Sequence, residues 1–274
     1  MIINRFETVL ADTPAARKIH FRVRYRVFCE EARFEEPDRF PDEMERDEHD
    51  AHAVHFIIWD RLEREWIGGM RLVSAAHQPL PCETICGSEL VGVDIGRRSA
   101  VEFSRLCILA KYRKTEAGFK FGQVAQDGEA EGVESAVFFR QVENEVLQRL
   151  LRASFAWGKD NAIGYCYFII NRALTRMLSR FGIPLVVVGE PVEHRGLRIP
   201  QRYQVDEAQA GMQQNLPGFA RMLDYAKAFI PYTEFISQPH PSPIEVAKVY
   251  PFSVAGLALP HVHHQPRTRA AVSS

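Results

Sequence analysis

The sequence has no apolar run long enough to span a membrane and no secretory signal at its start. No stretch approaches the ~20 apolar residues of a spanning helix, and residues 1–7 lack a basic region followed by an apolar one. Lys and Arg (34) balance Asp and Glu (35), so the formal net charge is only -1. Such a chain has no overall field that attracts nucleic acid. We therefore expect a cytoplasmic protein without membrane insertion and without a nucleic-acid partner.

Cysteine is scarce, and two kinds of catalytic or metal site are missing. The five cysteines are odd in number and scattered among apolar residues, which favours reduced thiols over a disulfide framework. Cys82 and Cys86 have no second Cys or His pair at zinc spacing, so no metal is expected. There is neither a Gly-x-Ser-x-Gly motif nor a convincing Cys/His pairing. Catalysis through a covalent intermediate is therefore not indicated.

What the sequence does contain is alternating strand-like and helix-like segments in a chain of 274 residues, enough for one sizeable core. A helix is predicted from Pro14, which follows the N-cap residue Thr13, to about Glu31. Strands at 53–59 and 65–74 form a predicted antiparallel hairpin, with Gly68 and Gly69 marking a bulge or a close backbone approach. Further elements are predicted at 101–109 (strand), 134–157 (the longest helix), 162–170 (strand), 171–181 (a helix capped by Asn171), 185–188 (strand) and 198–205 (strand). This order predicts an α/β fold with a mixed central sheet flanked by helices.

Four short charged motifs occur in a fixed order between about residues 20 and 110. An Arg stands four residues before a Phe, two Asp stand three apart after a Glu, one strand carries an Arg, and a later strand reads Glu-x-Ser-Arg. The residues concerned are Arg24, Phe28, Asp47, Asp50, Arg71, Glu102, Ser104 and Arg105. In this order and spacing they resemble the amino-terminal half of the acyl-homoserine-lactone (autoinducer) synthases and of the related N-acyl amino acid synthases.

The resemblance implies both a fold and an activity. Residues 1–205 are expected to form a GNAT-like acyltransferase domain, and residues 206–274 a C-terminal extension with one helix and a weakly ordered tail. The activity implied is the transfer of a fatty acyl group to the amino group of an amino acid or a similar small amine. No permanently bound cofactor is expected, because the acyl group arrives on a phosphopantetheine-linked donor.

The matching residues receive roles through the same resemblance. Arg24, Phe28, Asp47, Asp50, Arg71, Ser104 and Arg105 are implied to surround the amine substrate. Several buried charges of both signs need mutual pairing, so we expect the charged residues to form one cluster. By composition alone Asp47 and Asp50 would be solvated loop residues, and Phe28 is equally well explained as a core aromatic.

Glu102 is the candidate catalytic residue. Amide formation from a thioester requires a deprotonated amine, and a carboxylate near the amine can accept its proton directly or through a water. Burial would raise the pKa of this Glu toward a useful value. The alternative is that Glu102 pairs with Arg71 or Arg105 and only holds the sheet together.

The expected acyl donor is an acyl carrier protein. Many GNAT enzymes hold the pyrophosphate of coenzyme A with a Gly-rich turn before the long helix, and residues 111–133 lack that pattern. Lys111, Arg113, Lys114 and Lys120 are the basic residues that would meet an acidic carrier surface. The alternatives are a solvated basic loop and, as donor, acyl-coenzyme A.

Within the resembling families, the sequence departs from the lactone-forming synthases. Phe34 stands where their pattern has a Trp, and a C-terminal extension follows the core. These differences resemble the acyltransferases associated with bacterial exosortase (PEP-CTERM) systems. Two other functions stay open: a true acyl-homoserine-lactone synthase that uses S-adenosylmethionine, and a non-catalytic module that binds acyl chains or acyl carriers.

Overall fold

The computed structural model describes residues 4–87, 96–113, 129–216 and 228–249, and it gives no side chains for 129–140. The strands are β1 Phe6–Leu10, β2 Ala53–Asp60, β3 Glu65–Ser74, β4 Ala100–Ile108, β5 Tyr165–Ile170, β6 Val186–Val187, β7 Val192–Glu193, β8 Leu197–Gln204 and β9 Ile230–Pro231. The α-helices are α1 Pro14–Tyr25, α2 Pro81–Cys86, α3 Glu129–Asp160, α4 Arg172–Arg180, α5 Val205–Asn215, α6 Tyr232–Phe235 and α7 Pro243–Val249.

One central sheet carries most of these strands, in the order β6-β8-β5-β4-β3-β2-β1-β9. The β4–β5 and β1–β9 pairs are parallel and the other pairs antiparallel, so the sheet is mixed. Apolar side chains of the strands pack with those of α1 and α3 in the main core. The predicted α/β fold with a mixed sheet flanked by helices is confirmed.

The predicted hairpin of β2 and β3 is present, and its glycines have the predicted packing role. A Cβ atom on Gly69 would lie 2.5 Å from the carbonyl oxygen of Phe56 and 2.8 Å from the ring of His20. Glycine is therefore required where β3 passes α1. Asn171 also caps α4 as predicted, since its side chain accepts a hydrogen bond from the Leu174 N–H.

Strands β4 and β5 separate after a short parallel contact. Their pairing runs only from Ala100↔Tyr165 to Glu102↔Tyr167, although β4 continues to Ile108. Beyond Glu102 the backbone of β4 has no partner in β5. The two strands therefore open a cleft in the middle of the sheet.

The first helix ends in an unusual way that brings the loop after it to the cleft. After Tyr25, residues Arg26–Glu31 form a π-helical turn, a feature often found at functional sites. The Phe28 carbonyl oxygen then accepts hydrogen bonds from the N–H groups of Phe34 and Glu35. This closes the chain back on the end of the helix.

Residues beyond 205 also contribute to the sheet. Ile230–Pro231 pairs in parallel with Val9 and Leu10 of β1, and Asp12 accepts hydrogen bonds from the Tyr232 N–H and the Thr233 hydroxyl. Strand β1 itself was not predicted from the sequence. The helix predicted for the extension, at 216–229, lies almost entirely outside the described residues. The weakly ordered tail was predicted from Gln238; it is described as far as residue 249, and Pro243–Val249 forms helix α7.

Helix α5 crosses the turn after α4 at two glycines, and this crossing gives the first testable prediction. Gly182 has φ +87°, and a Cβ atom on Gly211 would overlap the Gly182 carbonyl oxygen. Replacing a helical Gly by Ala ordinarily favours the helix by about 1 kcal/mol. Here we expect Gly211→Ala to destabilise the protein by about 1–3 kcal/mol, because of overpacking.

Urea unfolding measures this effect, and Gln213→Ala is the control. Gln213 is exposed on the same helix, so its replacement should change stability by less than about 0.5 kcal/mol. A Gly211→Ala protein more stable than the parent would show that the two backbones separate freely.

Candidate active site

Six charged side chains form a hydrogen-bonded network on one face of β3 and β4. Arg24 contacts Glu45 and Asp50; Arg71 contacts Asp47, Asp50 and the hydroxyl of Ser104; Arg105 contacts Glu45 and Asp47. Arg24 and Arg71 are 0% exposed, and Glu45 is 1% exposed. The structure thus brings together Arg24, Asp47, Asp50, Arg71, Ser104 and Arg105.

The network is electrically balanced. Three guanidinium groups face three carboxylates, and Asp50 Oδ1 accepts from Nη1 of Arg24 (2.6 Å) and from Nη1 of Arg71 (2.7 Å). Burial alone would raise the pKa of Asp50, but the two guanidinium groups outweigh it and hold that pKa well below its usual range. Asp50 therefore stays ionised between the two arginines.

The loop that carries the acids is held by its own caps. The Asp47 side chain accepts from the His49 N–H (3.0 Å), and Asp50 Oδ2 accepts from the Asp47 N–H (2.8 Å). This reciprocal arrangement is a capping box. It fixes both carboxylates at the start of the short helix Glu48–His52, in front of the arginines.

Two buried histidines lie behind Asp50. The Nδ1 atoms of His20 and His55 are 3.0 Å apart, and His55 Nε2 lies 3.9 Å from Asp50 Oδ1. Burial lowers the pKa of His55 to about 4, and burial together with His55 lowers that of His20. Both rings are therefore neutral at pH 7 and add no charge to the network.

Arg105 reaches the network through a bulge in β4. Gly69 pairs with Cys107 but Arg71 pairs with Ser104, so β4 holds one extra residue opposite Met70. Arg105 lies in this bulge with φ +52°, a conformation that costs a non-glycine residue about 1–2 kcal/mol. Its guanidinium group lies 5.9 Å from the ring centre of Phe28.

Glu102 is not part of the network. Its carboxylate is 2% exposed and accepts a hydrogen bond from the Cys82 N–H (2.7 Å) at the start of α2. No hydrogen bond or ion pair joins it to Arg71 or Arg105, both of which are described in full. The alternative that Glu102 pairs with one of these arginines is therefore wrong.

Burial raises the pKa of Glu102 to about 7, against the opposing effects of the Cys82 N–H and of the more distant Arg71 and Arg105. A carboxylate with this pKa is protonated about half of the time near neutral pH. This is the range in which a general base works best.

Glu102 lies in the wall of a cavity of about 250 Å³ in the cleft between β4 and β5. Of the other predicted residues, Phe28, Ser104 and Arg105 also line it, whereas Arg24, Asp47, Asp50 and Arg71 do not. A second, small apolar cavity lies behind it and shares Phe103, Ile170 and Leu174 with it. The residues of the smaller cavity are Phe103, Leu147, Leu151, Phe168, Ile170, Leu174, Leu178 and Tyr203.

The sequence analysis missed several residues of this site. Glu45 pairs with both Arg24 and Arg105, and its position two residues before Asp47 was the only available signal. The β7–β8 hairpin adds His194, Arg195 and Arg198 to the cavity wall. These three lie about 90 positions after Glu102, and nothing in their local sequence marks them.

The predicted carrier-binding residues are only partly described. Lys111 pairs with Glu65 and Arg113 pairs with Glu31 (2.8 Å). Both basic side chains remain partly exposed. Lys114 and Lys120 lie outside the described residues.

Comparison with known proteins agrees with this fold. Residues 23–119 match the family described as Acetyltransferase (GNAT) domain. No curated protein sequence matches the chain at a significant level. Among the described residues, no helix is both long and apolar enough to cross a membrane.

Several solved structures share the fold at low sequence identity. BjaI, a CoA-dependent acyl-homoserine lactone synthase with SAM and isopentyl-CoA, is 17% identical with a TM-score of 0.56, over 89% of this chain and 99% of its own. TofI, in a complex with an inhibitor and MTA, is 18% identical with a TM-score of 0.55, over 76% and 96%. The AHL synthase LasI is 13% identical with a TM-score of 0.53, over 76% and 95%.

FeeM, an N-acyl amino acid synthase from uncultured soil microbes, also matches, at 13% identity and a TM-score of 0.47, over 77% of this chain and 97% of its own. That similarity is too low to support a fold assignment by itself. The resemblance inferred from the four charged motifs is nevertheless confirmed by the other matches. Residues 23–119 match an acetyltransferase (GNAT) domain, and the chain shares the fold of solved acyl-homoserine lactone synthases.

Proposed function

We propose that the protein is an N-acyltransferase that moves a fatty acyl group from a phosphopantetheine thioester to the amino group of an amino acid or a similar small amine. The observation that carries this proposal is Glu102, a buried carboxylate with a pKa of about 7 in the wall of the cleft between β4 and β5. A cleft of this kind aligns two substrates, which supplies much of the rate enhancement of such a reaction.

The chemistry assigned to the site is direct transfer. The neutral amine nitrogen attacks the thioester carbonyl, Glu102 accepts the proton that the nitrogen loses as the C–N bond forms, and the C–S bond breaks. The proton then leaves with the thiolate, so Glu102 returns to its starting state. The backbone of β4 beyond Glu102, which has no partner in β5, offers N–H groups for the developing oxyanion.

The two cavities support an acyl substrate. The small cavity is lined by apolar and aromatic side chains and adjoins the main one through Phe103, Ile170 and Leu174. At about 20 Å³ it has room for roughly one methylene group of an acyl chain, and burying that group is worth about 0.8 kcal/mol. The rest of the chain lies along apolar side chains of the main cavity, such as Phe103 and Ile170. The thioester then lies in the main cavity, beside Glu102.

The second candidate function is an acyl-homoserine-lactone synthase that uses S-adenosylmethionine. It is favoured by the shared fold with structures named as such synthases, one of them with SAM and a CoA donor. The third alternative is a non-catalytic module that binds acyl chains. For the N-acyltransferase proposed first, we also propose an association with an exosortase (PEP-CTERM) system and a cytoplasmic location, as expected from the sequence.

Product analysis decides between these functions. The purified protein is incubated with acyl-carrier-protein or acyl-coenzyme A thioesters and a panel of amino acids, other amines and S-adenosylmethionine. Mass spectrometry then identifies the products. An N-acyl amino acid supports the proposal, an acyl-homoserine lactone supports the second candidate, and acyl binding without any product supports the module.

We further propose that the donor is an acyl carrier protein, and this gives a second prediction. Replacing Lys111 and Arg113 by Glu should raise the KM for the acylated carrier, because both basic groups then repel an acidic partner, and the effect should shrink as salt rises. Their pairs with Glu65 and Glu31 are surface ion pairs, which contribute at most about 1 kcal/mol. Folding should therefore survive.

The control is Lys18→Glu, which changes an exposed charge on α1. It should leave the KM for the carrier unchanged. Equal turnover of carrier-bound and coenzyme A-bound acyl groups, unaffected by the Lys111 and Arg113 changes, would contradict a carrier-protein donor.

A further inference from the structure

The arginines that line the main cavity are paired with acidic side chains, with one exception. Arg105 is neutralised by Glu45 and Asp47, and Arg195 pairs with Glu35. Burial, with the charges of Arg105 and Arg198, lowers the pKa of His194, which is therefore neutral. Arg198 makes no ion pair with any residue that the structure describes. Among the described residues, Arg198 is thus the basic side chain of the cavity wall that has no acidic partner.

The guanidinium group of Arg198 is held in place by the hairpin that carries it. Its Nε donates to the His194 carbonyl oxygen (3.2 Å) and its Nη2 to the Arg195 carbonyl oxygen (2.8 Å). Nη1 has no hydrogen-bond partner in the described part of the chain. Two nitrogens therefore fix the group, and a third is left for a ligand.

The hairpin itself is anchored across the mouth of the cleft. Its turn contains Arg195 (φ +55°) and Gly196 (φ +90°). The Arg195 side chain pairs with Glu35, whose N–H donates to the Phe28 carbonyl oxygen. The strained turn and this ion pair hold Arg198 at a fixed position relative to the cavity, so binding a ligand there costs little ordering entropy.

We propose that Arg198 binds the carboxylate of the acyl acceptor. This inference rests on the proposed function, since it specifies the acceptor as an amino acid. Acylation requires the neutral amine, and an amino acid in that form carries one net negative charge on its carboxylate. The unpaired guanidinium group of Arg198, with its free Nη1, matches this carboxylate.

The test compares acceptors with and without a carboxylate. Kinetics are measured for an amino acid and for its amide, with the parent protein, Arg198→Gln and Arg198→Lys. Charge-assisted hydrogen bonds are strong, so Arg198→Gln should raise the KM for the amino acid by about 10- to 100-fold. The KM for the amide and the KM for the acyl donor should stay unchanged.

Two controls separate binding from damage to the fold. Arg198→Lys keeps the charge and should recover part of the lost affinity, and Arg176→Gln, an exposed change on α4, should change nothing. Within one variant, the ratio of the KM for the amino acid to the KM for the amide does not depend on how much of the protein is folded. An unchanged ratio in Arg198→Gln overturns the proposal, as does a rise in KM for the donor alone, which would assign Arg198 to a donor phosphate.

A direct binding measurement keeps this inference separate from the proposed function. Calorimetry compares an N-dodecanoyl amino acid with its amide as ligands of the parent and of Arg198→Gln. If the parent acylates no amine, the proposed function fails, but a preference for the carboxylate ligand that Arg198→Gln abolishes still supports the site. Equal binding of both ligands by the parent overturns it.

Discussion

Replacement of Glu102 by glutamine is expected to lower kcat by about 10²- to 10⁴-fold while the protein stays folded, since these are the usual contributions of a general base. The amide keeps the size of the side chain and an oxygen that accepts from the Cys82 N–H. It cannot take a proton from the amine. The measurement pairs steady-state kinetics with thermal unfolding of the same samples.

The pH dependence sharpens this prediction. Because the pKa of Glu102 is about 7 in the folded protein, kcat/KM of the parent should fall as pH drops below 7, and this inflection should be absent in Glu102→Gln. The contribution of Glu102 to the stability of the fold changes with pH in the opposite direction to kcat/KM. A Glu whose folded pKa is raised binds more protons when folded, so its contribution is lost as pH rises through 7.

The glutamine variant should therefore be at least as stable as the parent at pH 8. A folded and fully active Glu102→Gln protein would show that the amine loses its proton elsewhere. An unfolded one would assign Glu102 a structural role at the start of α2.

Asp50→Ala is expected to have the largest effect on stability, a loss of about 3–5 kcal/mol. Removing one partner from a buried set of ion pairs leaves its counter-charges uncompensated, and the cost lies in this range. Here Arg24 and Arg71, both 0% exposed, lose a shared acceptor. Urea unfolding gives the value, and Asp42→Ala, an exposed carboxylate of the same loop paired with Arg46, should change it by less than about 1 kcal/mol.

Charge balance predicts the behaviour of a double variant. Arg24→Met with Asp50→Ala removes one charge of each sign, which leaves Arg71 and Arg105 facing Glu45 and Asp47. We expect this protein to be more stable than Asp50→Ala alone, because replacing both buried partners is far less costly than removing one. If Asp50→Ala is instead stable and raises the KM for the amine, the network binds substrate as the resemblance implies.

These expectations assign Arg24 and Asp50 a structural role in place of substrate binding. The resemblance implies that both surround the amine, but neither lines the cavity in the structure. Their contacts are with one another and with Arg71 and Glu45. The contribution expected of them is therefore to hold the loop before β2 against β3 and β4.

The fold was predictable from the sequence to the extent that its signals are local. Asn171 and Pro14 mark helix starts by their own chemistry, and the strand pattern of 53–59 and 65–74 predicts the hairpin. Strand β1 (Phe6–Leu10) is only five residues long. Its polar and apolar residues do not alternate regularly, so they do not predict a strand. Its place in the sheet depends on pairing with β2 and β9, which are distant in sequence.

The candidate site was predictable where its residues form a motif. Asp47, Arg71 and Arg105 belong to short patterns, whereas Arg198 is one basic residue in a strand with no pattern around it. The compensation of charges in the cleft depends on which groups meet in three dimensions. For the same reason the sequence suggested Arg71 or Arg105 as a partner of Glu102, where the fold supplies the backbone of Cys82.

The parallel pairing of β9 with β1 has a consequence for handling the protein. An uncovered edge strand exposes unpaired backbone groups that recruit strands from other molecules. Ile230–Pro231 covers part of that edge, and Phe235 packs its ring against Trp59 and Trp66. Shortening the chain before residue 228 would expose an aromatic and hydrogen-bonding surface together. Such a protein would self-associate in solution, even with its catalytic cleft unchanged.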